Sequence, residues 1–257
     1  MRRRAWAGWG LGVLLALMLG GPLAMLASPG IDLTGNWATS DRSPTGLAPP
    51  ASTTREAVVQ VYAARAFEWR GAFAVHTWIA AKSADARRYR VYQVTSWRRP
   101  PVSVGAGTPD RAWFGSRPWL LADYRGTAAA AMIPAIEMAV RDYPAPARYR
   151  AWPGPNSNTF VAWVVRRVPG LDVALPVTAI GRDFVFDGPF VRAPSATGWQ
   201  FSAFGLLAVT VAADEGLEVT LLGLTLGVDV RRPALKWPGL GRLGMAARVA
   251  GNAEHGP

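Results

Sequence analysis

The sequence predicts an α+β fold: an antiparallel sheet with packed helices, preceded by one N-terminal transmembrane helix and followed by a C-terminal β-hairpin region. Three observations point there. The chain opens on Arg2-Arg3-Arg4 and then runs uncharged through residues 5–28. Three β-branched and aromatic runs follow in succession between residues 58 and 97, as strands of an antiparallel sheet do. Two helix-compatible segments come next, and two β-prone runs close the body.

The uncharged N-terminal run is long enough to cross a bilayer as a helix, which takes about 20 residues. The three arginines should stay on the cytoplasmic side, which gives a single-pass, N-in topology with the body exported. Gly20-Gly21-Pro22 interrupts the run and is compatible with the end of a cleaved signal peptide. A small-x-small cleavage site is poorly formed over residues 24–28, so an uncleaved signal anchor over residues 1–28 is the favoured reading. Residues 29–54, rich in Pro, Ser, Thr and Gly, read as a linker.

The body is expected to comprise an α+β core over residues 55–195, a β-rich extension over 196–245 and a flexible tail over 246–257. Strands are predicted at 58–62, 73–82 and 89–97, with residues 84–88 connecting the last two as a hairpin. Residues 98–110 are Pro- and Gly-rich and read as a loop. A first helix is predicted over 127–143, with Ile133, Ile136, Val140 and Tyr143 on one face. Pro134 either starts it or kinks it. A second helix runs over 157–168 and is stopped by Pro169-Gly170. The runs 201–213 and 217–230 flank Asp214-Glu215-Gly216 and read as one buried hairpin. The first run is too short for a second membrane span.

Composition narrows the chemistry. Lys and Arg number 28 against 17 Asp and Glu, a net charge of +11, and there is no cysteine. Disulfides, thiolate nucleophiles, iron–sulfur clusters and cysteine zinc sites are thereby excluded. The two histidines cannot build a histidine-rich metal site, and neither a His-Glu-x-x-His motif nor a phosphate-binding Gly-x-x-x-x-Gly-Lys-Ser/Thr loop occurs. No cofactor is implied. The arginines are scattered rather than clustered, so no nucleic-acid partner is expected. A basic surface facing anionic lipid or an envelope polymer is the plain reading. Acidic residues such as Glu68, Asp110, Asp123, Glu137 and Asp183 show no spacing that singles out a catalytic pair.

One segment carries candidate chemistry. In Trp152-Pro153-Gly154-Pro155-Asn156-Ser157-Asn158-Thr159-Phe160 a proline- and glycine-forced turn leads straight into the second helix. Ser157 therefore sits where backbone N–H groups and the helix dipole favour negative charge. A serine needs a base, and His76 on the second strand is the only imidazole outside the tail, where His255 lies. Gln93 on the next strand is placed to orient it. The ordinary alternative is equally concrete: Asn156, Ser157 and Asn158 as helix caps, and His76 as a core residue.

The segments 67–80, Tyr92-Gln93-Val94, Trp113-Phe114-Gly115, 152–160 and Ala179-Ile180-Gly181-Arg182-Asp183 resemble an uncharacterised bacterial family, domain of unknown function 3750, over roughly residues 55–245. A more distant resemblance joins Asn156-Ser157-Asn158-Thr159-Phe160 to the Asn-Cys-Asn-His-Phe motif of circularly permuted papain-like (NlpC/P60-type) hydrolases. That resemblance implies a permuted papain-like arrangement, with Ser157 as nucleophile, His76 as base and Gln93 as orienting residue. Asn156, Asn158 and Trp78 would bind substrate. The chain departs from the motif in having serine for cysteine and Thr159 for histidine. The implied function is an amide or ester hydrolase or acyltransferase on envelope peptide, peptidoglycan or lipid, anchored in the bacterial inner membrane with a periplasmic body. The alternative is a non-catalytic envelope protein with a degenerate pocket.

Overall fold

The computed structural model describes residues 2–251. Helix α1 (Arg2–Leu26) is followed by irregular chain to residue 57. Five strands come next: β1 (Val58–Arg65), β2 (Val75–Lys82), β3 (Arg90–Val94), β4 (Val102–Ala106) and β5 (Trp119–Arg125). Helices α2 (Gly126–Arg141) and α3 (Ser157–Arg167) complete this half. The second half is all β: β6 (Phe190–Arg192), β7 (Gly198–Ala203), β8 (Leu207–Ala212), β9 (Gly216–Leu221), β10 (Leu224–Asp229), β11 (Ala234–Trp237), β12 (Gly241–Gly244) and β13 (Ala250–Gly251). Among the described residues these strands form a six-stranded sheet of order β13-β5-β1-β2-β3-β4 and a seven-stranded meander from β12 to β6. All pairings are antiparallel except β13 on β5. The fold is thus α+β, with one N-terminal apolar helix.

The stretch Trp9–Leu26 of α1 is long and apolar enough to cross a membrane. Pro22 lies inside the helix, so Gly20-Gly21-Pro22 does not end it. Leu11, Val13, Leu15, Leu19 and Leu23 project from it into the surroundings.

The six-stranded sheet is covered on both faces. Val59, Val61, Ala63, Ile79, Tyr92 and Ala122 pack on α2 and α3. Successive strand residues point to opposite faces, so Tyr62, Trp78, Ala80 and Val91 make a second cluster on the far side. Leu47, Ala48 and Ala51 of the lead-in close that cluster. Asp110 fastens the lead-in by accepting the Leu47 and Ala48 N–H groups at 2.7 and 3.2 Å.

Several expectations need correction. The loop expected at 98–110 contains strand β4, and β5 was not foreseen. The first helix runs through Pro134, and its buried face is Ala129, Met132, Ile136 and Ala139, with Ile133 and Val140 only partly covered. The two C-terminal runs do meet in a hairpin at Asp214-Glu215-Gly216, where β8 pairs with β9, but they supply four strands rather than two. Each folds on itself, at Phe204-Gly205 and at Leu222-Gly223, where Phe204 and Leu222 adopt φ of 55° and 52°. Nor is that region buried, since one sheet face is open. The tail expected to be flexible over 246–257 carries β13; its residues 252–257, with His255, lie outside the described residues.

Candidate functional site

The pairing of β2 with β3 covers only Ile79, Ala80 and Ala81, against Tyr92, Val91 and Arg90. Below Ile79 the two strands part, although β3 continues to pair with β4 as far as Val94. The start of α3 fills that split. Asn158 Nδ2 donates to the Val75 carbonyl at 3.0 Å, and Thr77 Oγ1 donates to Asn158 Oδ1 at 2.9 Å. A split sheet edge leaves backbone groups without ladder partners, and here a side-chain amide takes one of them.

The helix start itself is tightly built. Asn156 is the N-cap: its Oδ1 accepts the N–H groups of Asn158 and Thr159 at 2.9 and 3.1 Å, and Thr159 Oγ1 accepts the Asn156 N–H in return. Asn156 Nδ2 donates to the Ala151 carbonyl at 2.9 Å, and the other contacts go to one loop. Asn156 and Asn158 both donate to the Ile180 carbonyl, and Thr159 to the Gly181 carbonyl. Gly181 has φ of 98°, and a Cβ there would lie 2.3 Å from Asn156 Nδ2, so only glycine fits. The hydrogen-bonding groups of the Asn156 and Asn158 side chains are all engaged by the protein itself. Ser157, between them, is buried, and its hydroxyl makes no hydrogen bond among the described residues.

His76 and Gln93 lie on the two strands that border the split. Strand alternation puts both on the face opposite the helices, alongside Trp78. Thr77, gripped by Asn158, points to the helix face, so His76 and Ser157 approach the split from different sides of β2. The His76 ring is stacked on Trp113 at 3.6 Å between centroids and lies 5.7 Å from the Trp78 ring. Its Nε2 is buried with no hydrogen-bond partner. Burial first, and the charge of Arg111 second, push the imidazole down to about 3; a polar contact with the Gln93 side chain acts the other way. The ring is therefore neutral at physiological pH. Trp78 is spoken for as well: it is buried, stacks on Tyr62 and donates its indole N–H to the Pro109 carbonyl at 2.7 Å.

A feature that sequence reasoning missed is the aromatic and cationic cover. Trp97 and Phe114 pack against Trp113 at 5.8 and 5.1 Å, and Trp97 is exposed. Arg42 lies over Phe114 at 4.4 Å and Arg111 over Trp113 at 5.7 Å. Within the sequence, the Trp113-Phe114-Gly115 motif was the only signal of it.

The loop that holds α3 is itself anchored in the second sheet. Arg182 and Asp183, both buried, follow Gly181 directly. Arg182 pairs with the carboxylate of Glu218 on β9, which Lys236 Nζ on β11 also contacts at 2.6 Å. Asp183 accepts from Gln200 and from Thr220 Oγ1, the latter at 3.0 Å.

No curated protein and no solved structure matches the chain. One family does, over residues 56–184, from the first strand to the loop that carries Arg182 and Asp183. The chain belongs to this family, described as a protein of unknown function (DUF3750).

Proposed function

We propose that this is a membrane-anchored cell-envelope protein whose core, residues 55–195, has a permuted papain-like arrangement and carries an acyl-transfer site. The observation that carries this reading is the split between β2 and β3. The helix start bearing Ser157 plugs it, and His76 and Gln93 stand on its two borders. Supporting it are the order of histidine before nucleophile and the engagement of Asn156 and Asn158 in fixing the helix start rather than in binding ligand.

In this reading α1 is a signal anchor with Arg2, Arg3 and Arg4 on the cytoplasmic side and the body in the periplasm. The Ser157 hydroxyl attacks the carbonyl of an amide or ester. Its proton has to cross the split to reach Nε2 of His76 on the opposite side of β2, and the leaving group departs with a proton returned from the same nitrogen. The Ser157 N–H is the donor offered to the oxyanion, because the N–H groups of Asn156, Asn158 and Thr159 are taken up by the cap. Water or an acceptor alcohol or amine then takes the acyl group. An imidazole held near 3 is a weak base, so Trp113 must withdraw from the ring for turnover. Arg42, Arg98 and Arg111 beside the aromatic cover favour an acidic substrate, as an envelope peptide, peptidoglycan fragment or anionic lipid would be.

A second reading has its own support. An imidazole sealed beneath Trp113, next to a serine rather than a cysteine, suits a pocket that binds without turnover. A fluorophosphonate probe applied to the full-length protein in membranes separates the two. Labelling that disappears in Ser157→Ala and falls sharply in His76→Ala is expected for the enzyme. Absence of labelling, together with full complementation of a deletion strain by both variants, would establish the binding protein instead.

A further inference from the structure

The seven-stranded sheet is built inside out. Its inner face carries Gln200 and Ser202 on β7, Thr210 on β8, Glu218 and Thr220 on β9, Thr225 on β10 and Lys236 on β11, all buried. Its outer face is apolar along its rows except for Arg192 at the β6 edge, opposite Trp199. Trp199, Val211, Leu217, Val228, Leu235 and Leu243 lie opposite one another along one row. Phe190, Phe201, Val209, Val219 and Leu226 form the next. Val211 is 60% exposed, Leu217 47% and Leu235 53%. Scattered apolar residues on a surface need no explanation, but a contiguous apolar sheet face marks something that covers it.

Helix α1 shows what that is. Its C-terminal end packs on β10 and β11. A Cβ at Gly21 would lie 2.9 Å from Cδ1 of Trp237, and Gly239 sits equally close to Pro22. Trp237 alternates with Lys236 and so belongs to the outer face, with Leu235. The apolar face is therefore continuous with the apolar helix. The rim of the face has the make-up of a membrane interface: Phe190, Trp199 and Phe204 are exposed aromatics at its β6–β8 end, Arg192 stacks on Trp199 at 4.5 Å, and Arg231 and Arg232 are exposed in the turn after β10. The strands are too short to cross: six residues at about 3.3 Å each reach about 20 Å, against about 30 Å of hydrocarbon.

We propose that the outer face of this sheet lies on the phospholipid surface of the membrane that α1 enters, holding the body flat against the bilayer. The inference rests on the reading of α1 as a membrane anchor. The sheet then serves as a monotopic foot, with its apolar rows at the level of the headgroups and first methylenes and its charged inner rows closed off by Arg182 and the α3 loop.

The absence of native cysteine makes the test direct. Single-cysteine variants Val211→Cys, Val219→Cys, Leu15→Cys and Arg87→Cys of the full-length protein are labelled with a nitrobenzoxadiazole dye. They are then reconstituted into phosphatidylethanolamine–phosphatidylglycerol vesicles containing lipid spin-labelled either near the headgroup or at mid-chain. Labels at 211 and 219 should lose about half their fluorescence to the headgroup probe, as expected for a face about 5–10 Å into the interface, and the label at 15 should lose as much to the mid-chain probe, while the label at 87 keeps its own. Quenching at 15 alone would overturn the proposal and leave the anchor standing. No quenching at any site would overturn both. Labels at 211 and 219 shielded from lipid and from aqueous iodide alike, with cross-linking between copies through 211, would also overturn it, assigning the face to a second copy of the chain.

Discussion

The two sheets solve the same problem in opposite ways. In the six-stranded sheet both faces are aliphatic and aromatic, and each is covered by protein. In the seven-stranded sheet the covered face is polar and ionic, and the uncovered face is apolar. Burial of apolar surface therefore stabilises the first sheet, at roughly 25 cal/mol for each Å² removed from water. The inner face of the second is held by paired charges, whose desolvation offsets much of their attraction. Glu215 illustrates the cost: burial pushes its carboxyl above the usual carboxylate range, although the Ser195 N–H, donating at 2.9 Å, and the Ser195 hydroxyl act against the shift. What the comparison teaches is that buried and apolar are separate properties here, and that the second sheet has to be read with its surroundings included.

Substitutions on the two sheets sharpen the contrast. Glu218→Ala strands Arg182 and Lys236 without their shared carboxylate. It should cost about 3–5 kcal/mol, read from denaturant unfolding of the detergent-solubilised full chain. Ile136→Ala, which empties part of the aliphatic core under the first sheet, should cost about 2–5 kcal/mol in the same measurement. A result in which Glu218→Ala is mild and Ile136→Ala severe would remove the distinction.

Acid supplies a third test. The native imidazole of His76 holds its proton only below about 3, whereas the unfolded chain takes one up near 6.5. The unfolded state therefore binds more protons between those values. Stability is fully present above 6.5 and falls as pH drops through that window, by up to about 1.4 kcal/mol per pH unit. His76→Gln should flatten that part of the curve. Trp113→Ala should uncover the ring and move its titration, followed by NMR, back toward 6.5.

Smaller effects follow at the helix start and on the open face. Asn156→Ala removes the cap of α3 and should cost about 1–2 kcal/mol. Val211→Thr, on the outer apolar row, should stay within about 0.5 kcal/mol in detergent.

Strands β1, β2 and β3 were legible because they are β-branched and aromatic runs separated by polar turns, and α3 because Asn156 and Pro169-Gly170 bracket it. Strand β4 was hidden by the flanking Pro100-Pro101 and by Gly105. The second sheet was misread because two of its turns carry Phe204 and Leu222 at positive φ, where Asn or Asp would have announced a reversal. Leu217-Glu218-Val219-Thr220 alternates plainly, but alternation does not say which face turns inward. At the site, Ser157, His76 and Gln93 could be nominated from residue type and order. The stacking of Trp113 on His76 could not, because it depends on where a distant loop returns to the sheet.

The chain between Ile180 and Asp183 is one of the places where the two halves are joined. The Ile180 and Gly181 carbonyls hold the first turn of α3, and the next two side chains are locked among Glu218, Gln200 and Thr220. The position of the helix start that bears Ser157 is thus tied to the seven-stranded sheet through four consecutive residues, with Gly181 among them.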